Sequence, residues 1–311
     1  MAGLVRFFSA ALVSTVDFLG GFNSNASTAR TSLAMDFNTP PVLVTDLTIT
    51  FGATAVPSSD EMIDPSKWYR IEKDLYLHSA EQSAWLQVAK AEETDLRPDD
   101  LVITDIRVSE QHPNNSPGGP WESRPGGIWL QRSKYAGDSH HHVVTGVDVL
   151  FGTDAVDPRP KWSLLKQPLQ LEKQSQAPVP RLTMRHGRPE SRRDDAWTPL
   201  RVGADGKFKI LQISDTHMVT GVGQCKDATD AKGRLLPEEE ADPLTVKFIG
   251  QILDLEKPDL VVLTGDQLHH DILDSQSALF KVVAPLIERS LRFALVFGNH
   301  DDEGQYAISR E

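Results

Sequence analysis

The chain has 311 residues, is 39% apolar and 24% charged, and carries a formal net charge of −12 with a pI near 5.3. That length holds two ordinary domains, each able to bury its own core. The acidic balance argues against partners held by bulk electrostatics, such as nucleic acid, and any phosphate chemistry would have to concentrate positive charge locally, for which a metal ion is one means.

The N-terminal stretch "MAGLVRFFSAALVSTVDFLGG" has one Arg followed by a short apolar run. It could serve as a weak signal peptide, but Asp17 and the brevity of the run favour a frayed or marginal helix. No segment approaches the ~20 apolar residues of a membrane span. Cys225 is the only cysteine, which fits a reducing compartment, so a cytoplasmic location is favoured over secretion. Residues 1–40 are expected to be poorly ordered.

Residues 41–165 read as an all-β repeat domain. "VTDLTITFGATAV" from Val44 and "VTGVDVLFGTDAV" from Val144 share a pattern, and "ITDIRV" from Ile103 repeats its opening. Apolar residues alternate with Thr, Asp or Arg, the period of a half-buried strand. A tryptophan follows each copy (Trp68, Trp121, Trp162), and Trp-Leu-Gln runs occur at Trp85 and Trp129. A duplicated unit packed as a β-sandwich is the simplest reading. The arrangement also resembles β-prism domains that associate with membranes, which leaves a protein or a membrane surface as a partner for this domain. His140-His141-His142 cannot converge on one ion from a strand, because neighbours point to opposite faces, and they are read as a solvated hairpin tip.

Residues 166–206, with "KQSQAPVPRLTMRHGRPESRRDDAWTP", lose both periodicities and read as an interdomain linker. On that reading residues up to about Lys166 fold as a unit.

Residues 207–311 change character. "FKILQIS" from Phe208, "LVVLT" from Leu260 and "FALVF" from Phe293 read as buried strands. A helix opened by Asp242-Pro243 and closed by Lys257-Pro258 should bury Leu244, Phe248, Ile249, Ile252 and Leu255. Another, capped by Asp274-Ser275 and bent at Pro285, should bury Leu279, Val282, Val283, Leu286 and Ile287. The order β-α-β-α-β implies parallel strands.

Each strand ends in ligand-type residues: "SDTH" with Asp215 and His217, "TGDQLHH" with Asp266, and "GNHDD" with Asn299, His300 and Asp301. Ligands of open α/β sheets bind outside the carboxyl ends of the strands, so these residues should meet on one rim. Asp215 and His217 can grip one metal, Asp266 can bridge a pair of ions, and Asn299 can offer an amide oxygen to the second. Mixed imidazole and carboxylate ligands suit Zn, Mn or Fe.

These motifs resemble the calcineurin-like metallophosphoesterase superfamily: Asp-x-His, then Gly-Asp, then Gly-Asn-His-Asp. "FKILQISDTH", "EKPDLVVLTGDQ" and "VFGNHDDEG" are similar to its fungal branch related to purple acid phosphatases, and "VLFGTDAVDPRPKW" is similar to the region preceding the enzyme domain there. The resemblance implies an α+β chain, in which an all-β repeat domain precedes the first half of an α/β phosphoesterase sandwich. It implies hydrolysis of phosphate esters, small-molecule or phosphoprotein, by a hydroxide bridging two divalent or mixed-valence ions (Zn, Mn or Fe). Asp215, His217, Asp266 and Asn299 would be metal ligands, and His300 would act on the phosphate with Asp301 orienting it. Two departures stand out. His269 occupies the place of the purple enzymes' ligating Tyr, and none of the ten histidines follows His300 to supply the family's later Gly-His-x-His, so the sequence is expected to end in mid-domain. A non-catalytic binding protein with a degenerate metal site, or a phosphodiesterase or nuclease of the same superfamily, are the competing readings. The acidic charge and the lack of a basic, aromatic-interleaved patch weigh against nuclease.

Overall fold

The computed structural model of the chain describes residues 12–17, 41–52, 67–75, 83–114, 118–137, 142–170, 178–188, 200–225, 229–230, 232–236 and 240–303. His140 and His141 lie outside them. The described residues are mostly β-sheet with few helices, an α+β chain.

Strand β1 (Leu12–Asp17) pairs antiparallel with Lys207–Ile213, from Leu12↔Gln212 to Asp17↔Lys207. The frayed helix expected at the N-terminus is therefore a strand here. Val13, Thr15 and Val16 are β-branched and stiff at χ1, which favours extended chain over helix.

Three sheets follow, each built from three strands in sequence with the third strand in the middle. The first comprises β2 (Val42–Phe51), β3 (Trp68–Asp74) and β4 (Ala84–Glu92). The second comprises β5 (Leu101–Val108), β6 (Trp121–Arg124) and β7 (Ile128–Lys134). The third comprises β8 (Val144–Phe151), β9 (Trp162–Leu164) and β10 (Pro180–His186). Pairing against the central strand skips one residue at the same place in each opening strand, at Thr45, Thr104 and Thr145, the mark of a β-bulge. Trp68, Trp121 and Trp162 also share a register, opposite Ala89, Gln131 and Arg185. The Trp-Leu-Gln runs do not. Leu86 faces Ile49, whereas Leu130 faces Ile106, a slip of two residues that leaves both leucines fully buried.

Leu47, Ile49, Leu86, Ile106, Leu130, Val149 and Leu182, drawn from all three sheets, lie in one apolar core. Three sheets around one core replace the two-layer sandwich expected from the repeat. The linker reading of 166–206 is corrected at 180–186, where β10 is the central strand of the third sheet. Leu182 and Met184 point into the core, while Arg185 lies over the Trp162 ring at 5.4 Å. The alternation was hidden because Arg181 and Arg185 stand on the other face, their stems packed while their charged heads reach water, and Thr183 between them is buried.

The second half carries β11 (Lys207–Ile213), α1 (Ala241–Glu256), β12 (Leu260–Leu263), α2 (Ser275–Glu288) and β13 (Phe293–Leu295). Its sheet has the order β1-β11-β12-β13, and β11, β12 and β13 are parallel. Asp274 caps α2 by accepting the Ser277 amide at 2.9 Å. In α1 the expected cap fails: Asp242 lies inside the first turn, buried, and accepts the Val219 amide at 3.0 Å. The buried face of α1 is set by Ile249 and Leu253, leaving Phe248 and Leu255 exposed against expectation.

The halves are joined through α2. Ser277 Oγ accepts the Phe151 amide at 2.8 Å, and Lys73 Nζ pairs with Asp274 at 3.0 Å. Lys281, nearly inaccessible, pairs with Asp242 on α1 at 2.5 Å and with Asp154, which follows β8, at 2.8 Å. Residues up to Lys166 thus lack both the middle strand of their third sheet and the surface that α2 supplies.

Candidate metal centre

The three parallel strands end side by side, and backbone hydrogen bonds continue beyond them. Asp215 N–H donates to Gly265 O and His217 N–H to Asp266 O, both at 3.1 Å, and His269 N–H returns to Met218 O at 3.0 Å. These bonds fix the Asp-x-His segment against the Gly-Asp turn.

Asp215, His217 and Asp266 each present one ligand atom, all within 4.8 Å of one another. Asp215, His217 and Asp266 also share a left-handed backbone, with φ of 55°, 46° and 50°. Such conformations cost of order 1–3 kcal/mol each in non-glycine residues and persist only where surrounding contacts enforce them. Two glycines allow the crowding. A Cβ on Gly298 would collide with the backbone and carboxylate of Asp266, and one on Gly265 would strike Gly298 in turn.

Asp301 supplies the enforcing contacts. It is buried, and its Oδ2 accepts the amides of Asp266 at 2.9 Å and Gly298 at 2.6 Å, while Oδ1 accepts that of Leu268 at 2.9 Å. The expected role of orienting His300 goes to a different residue: Glu303, overlooked in the sequence although i,i+3 spacing was there to be read, bonds His300 Nδ1 at 2.7 Å. The His300 amide donates to Asp266 Oδ1 at 3.0 Å. The Glu303 carboxylate holds the His300 pKa above the ordinary imidazole value, with Asp266 adding to the effect. Asn299 sits exposed between Gly298 and His300, on the same loop.

Four imidazoles gather here. The His217 ring lies 5.5 Å from His300 and 6.2 Å from His269, and His270 lies 4.1 Å from His269. Burial and the neighbouring His270 and His217 push the His269 pKa down. His269 Nδ1 accepts the Asp271 amide at 3.2 Å, which assigns the proton of the neutral ring to Nε2.

Carboxylate and imidazole ligands bond Zn or similar ions at about 2.0–2.2 Å, so ligand atoms within 4.8 Å of one another can share one ion once the widest pair closes by about 1 Å, a movement within reach of side-chain rotation. The donor set fits a divalent metal. Residues 208–310 match the model of the calcineurin-like phosphoesterase family. This segment is a calcineurin-like phosphoesterase domain. The chain is 39% identical over 181 residues to Phosphatase DCR2 of Saccharomyces cerevisiae, covering 56% of this chain and 28% of that protein. It is 36% identical over 107 residues to Probable inactive purple acid phosphatase 28 of Arabidopsis thaliana (34% of this chain, 26% of that protein). Protein SIA1 of Kluyveromyces lactis is 28% identical over 201 residues, 61% of this chain and 32% of that protein. The chain thus spans about a third or less of the length of these relatives. The yeast matches are longer than the phosphoesterase domain alone and extend into the β half. No helix among the described residues is long and apolar enough to cross a membrane.

Proposed function

We propose that the phosphoesterase domain hydrolyses phosphate monoesters in a metal-dependent reaction. The observation that carries this is the convergence of Asp215, His217 and Asp266 from two adjacent strand ends, each in a left-handed conformation, inside a segment of this family. The name of the yeast phosphatase supports the same reading.

One or two divalent ions (Zn, Mn or Fe), held by Asp215, His217, Asp266 and Asn299, would neutralise the phosphoryl oxygens and acidify a water. The protein's own part follows from its contacts. Glu303 at Nδ1 shifts His300 toward its protonated form, in which Nε2–H can donate to a phosphoryl or leaving oxygen. The His269 Nε2–H is a second donor on the same rim, since Nδ1 is occupied. His269 is therefore a phosphate donor in this reading and not the replacement for a ligating Tyr.

A non-catalytic reading keeps the metal and phosphate site without turnover, and the names of Arabidopsis relatives such as Probable inactive purple acid phosphatase 28 favour it. Metal analysis beside an aryl phosphatase assay separates the readings. Bound Zn or Mn and turnover that both vanish in Asp266→Asn support the enzyme, with His269→Ala keeping its metal but losing roughly ten-fold in phosphate affinity, the scale of one hydrogen bond to a charged group. Metal without turnover supports the binding protein, and no metal at all overturns both.

A further inference from the structure

Two concavities stand out among the described residues. The larger, about 530 Å³, is lined by Thr104, Gly118, Gln131, Ser133, His142 and His186 in the β half. Its polar groups largely serve the fold: Thr104 Oγ1 donates to Gln131 O, Gln131 Nε2 to Gly119 O, and His186 Nε2 bonds Thr104 O. The smaller, about 290 Å³, is lined by Pro178, Val219, Thr220, Asp271, Ile272 and Leu273. It is a different kind of place.

Two of its walls are joined to the metal centre through the chain. Val219 is two residues beyond His217, so their Cα atoms lie within about 7 Å. Asp271 is tied by its amide to the His269 ring. Four of the six lining side chains are apolar. The walls are also held firmly. Thr220 Oγ1 exchanges hydrogen bonds with the backbone of Asp274, accepting its N–H at 2.9 Å and donating to its O at 3.3 Å. The Val219 amide is held by Asp242, and Leu273 packs against the β core. Pro178 comes from the chain entering β10, so the third sheet supplies one wall.

We propose that this groove is the leaving-group subsite: it takes the uncharged apolar or aromatic alcohol of a phosphomonoester whose phosphate sits at the metal centre. The inference rests on the phosphoesterase reading. The volume is at the small end for a whole ligand and suits a single ring. Exposed Asp271 at its edge repels a second negative charge, which disfavours sugar bisphosphates and nucleotides. Specificity is then shared between the two halves, one wall from each. The long yeast matches, which reach beyond the phosphoesterase domain, fit such sharing.

Phosphonates test this without hydrolysis, because their C–P bond has no ester oxygen to lose. Methylphosphonate and benzylphosphonate, titrated calorimetrically into the Zn-loaded chain, share one headgroup and differ only in the ring. Benzylphosphonate should bind roughly ten-fold more tightly, as burial of one ring warrants. Val219→Trp and Pro178→Trp, which fill the groove from opposite halves, should each erase that advantage and leave methylphosphonate within about two-fold. Near-UV circular dichroism confirms that a variant is folded, and either one suffices. No preference in the natural chain, or a preference that survives both variants, overturns the subsite. Failure of both phosphonates to bind the loaded chain overturns the phosphoesterase reading itself, and the subsite with it.

Discussion

Asp301 shows how far a residue's chemistry can differ from the role its position suggests. A carboxylate next to His300 invites a catalytic reading, yet its hydrogen bonds go to backbone amides of the turns that hold the ligands. Three amides on one buried carboxylate stabilise the strained Asp266 conformation, so Asp301 is a positioning residue. Asn keeps one acceptor oxygen and turns the other into a donor facing amides. Asp301→Asn should lower thermal stability by about 1–3 kcal/mol, the cost of buried unsatisfied groups, and weaken Zn binding in a competition titration. Glu303→Gln, on the exposed side of His300, should leave both unchanged. Equal Zn affinity in Asp301→Asn and the natural chain would refute the positioning role. The residues that meet here were legible in the sequence because each motif ends a strand. The division of labour between Asp301 and Glu303 was not, because a shift of two residues along a turn changes which way a carboxylate points.

At the scale of elements, the parallel strands and α2 were readable because apolar runs bounded by Asp, Gly and Pro carry their own signals. Two features escaped. The buried face of α1 turned on Leu253 and not on Phe248 or Leu255, since helical spacing admits neighbouring stripes and only packing chooses between them. Strand β10 escaped because Pro and Arg dominate its stretch. Its place in the third sheet predicts a protease result opposite to that of a linker. Arg181 donates to Leu165 O through both Nε (3.1 Å) and Nη2 (2.9 Å), and Arg185 Nε donates to Thr145 Oγ1 at 3.0 Å. Trypsin acting on the native chain should therefore spare the bonds after Arg181 and Arg185. Mass mapping of the fragments reads this directly, and early cuts at either site would return the segment to linker.

For the whole molecule, the junction decides whether the halves act separately. Lys281 projects from α2 between Asp242 of α1 and Asp154 of the β half, and also donates to Gly221 O at 2.6 Å. Burial pushes the Asp242 pKa up while Lys281 pulls it back, the mark of a carboxylate that depends on its partner. Replacing one member of a buried ion pair leaves the remaining charges desolvated and uncompensated, a loss of about 3–5 kcal/mol. Lys281→Met keeps the volume and removes the charge, stranding two carboxylates on opposite sides of the junction. If the halves are thermodynamically independent, only the phosphoesterase half should melt earlier. If the junction couples them, tryptophan fluorescence, which reports the β half through Trp68, Trp85, Trp121, Trp129 and Trp162, should shift to lower temperature together with the helical signal at 222 nm. The bonds of α2 to Phe151, Lys73 and Asp154 favour one shared transition. Double substitution with Asp154→Asn should recover part of the loss by removing one stranded charge. A tryptophan transition that stays in place in Lys281→Met would show the two halves to be separable, and would leave Pro178 as a wall that the β half lends without being bound to the site it serves.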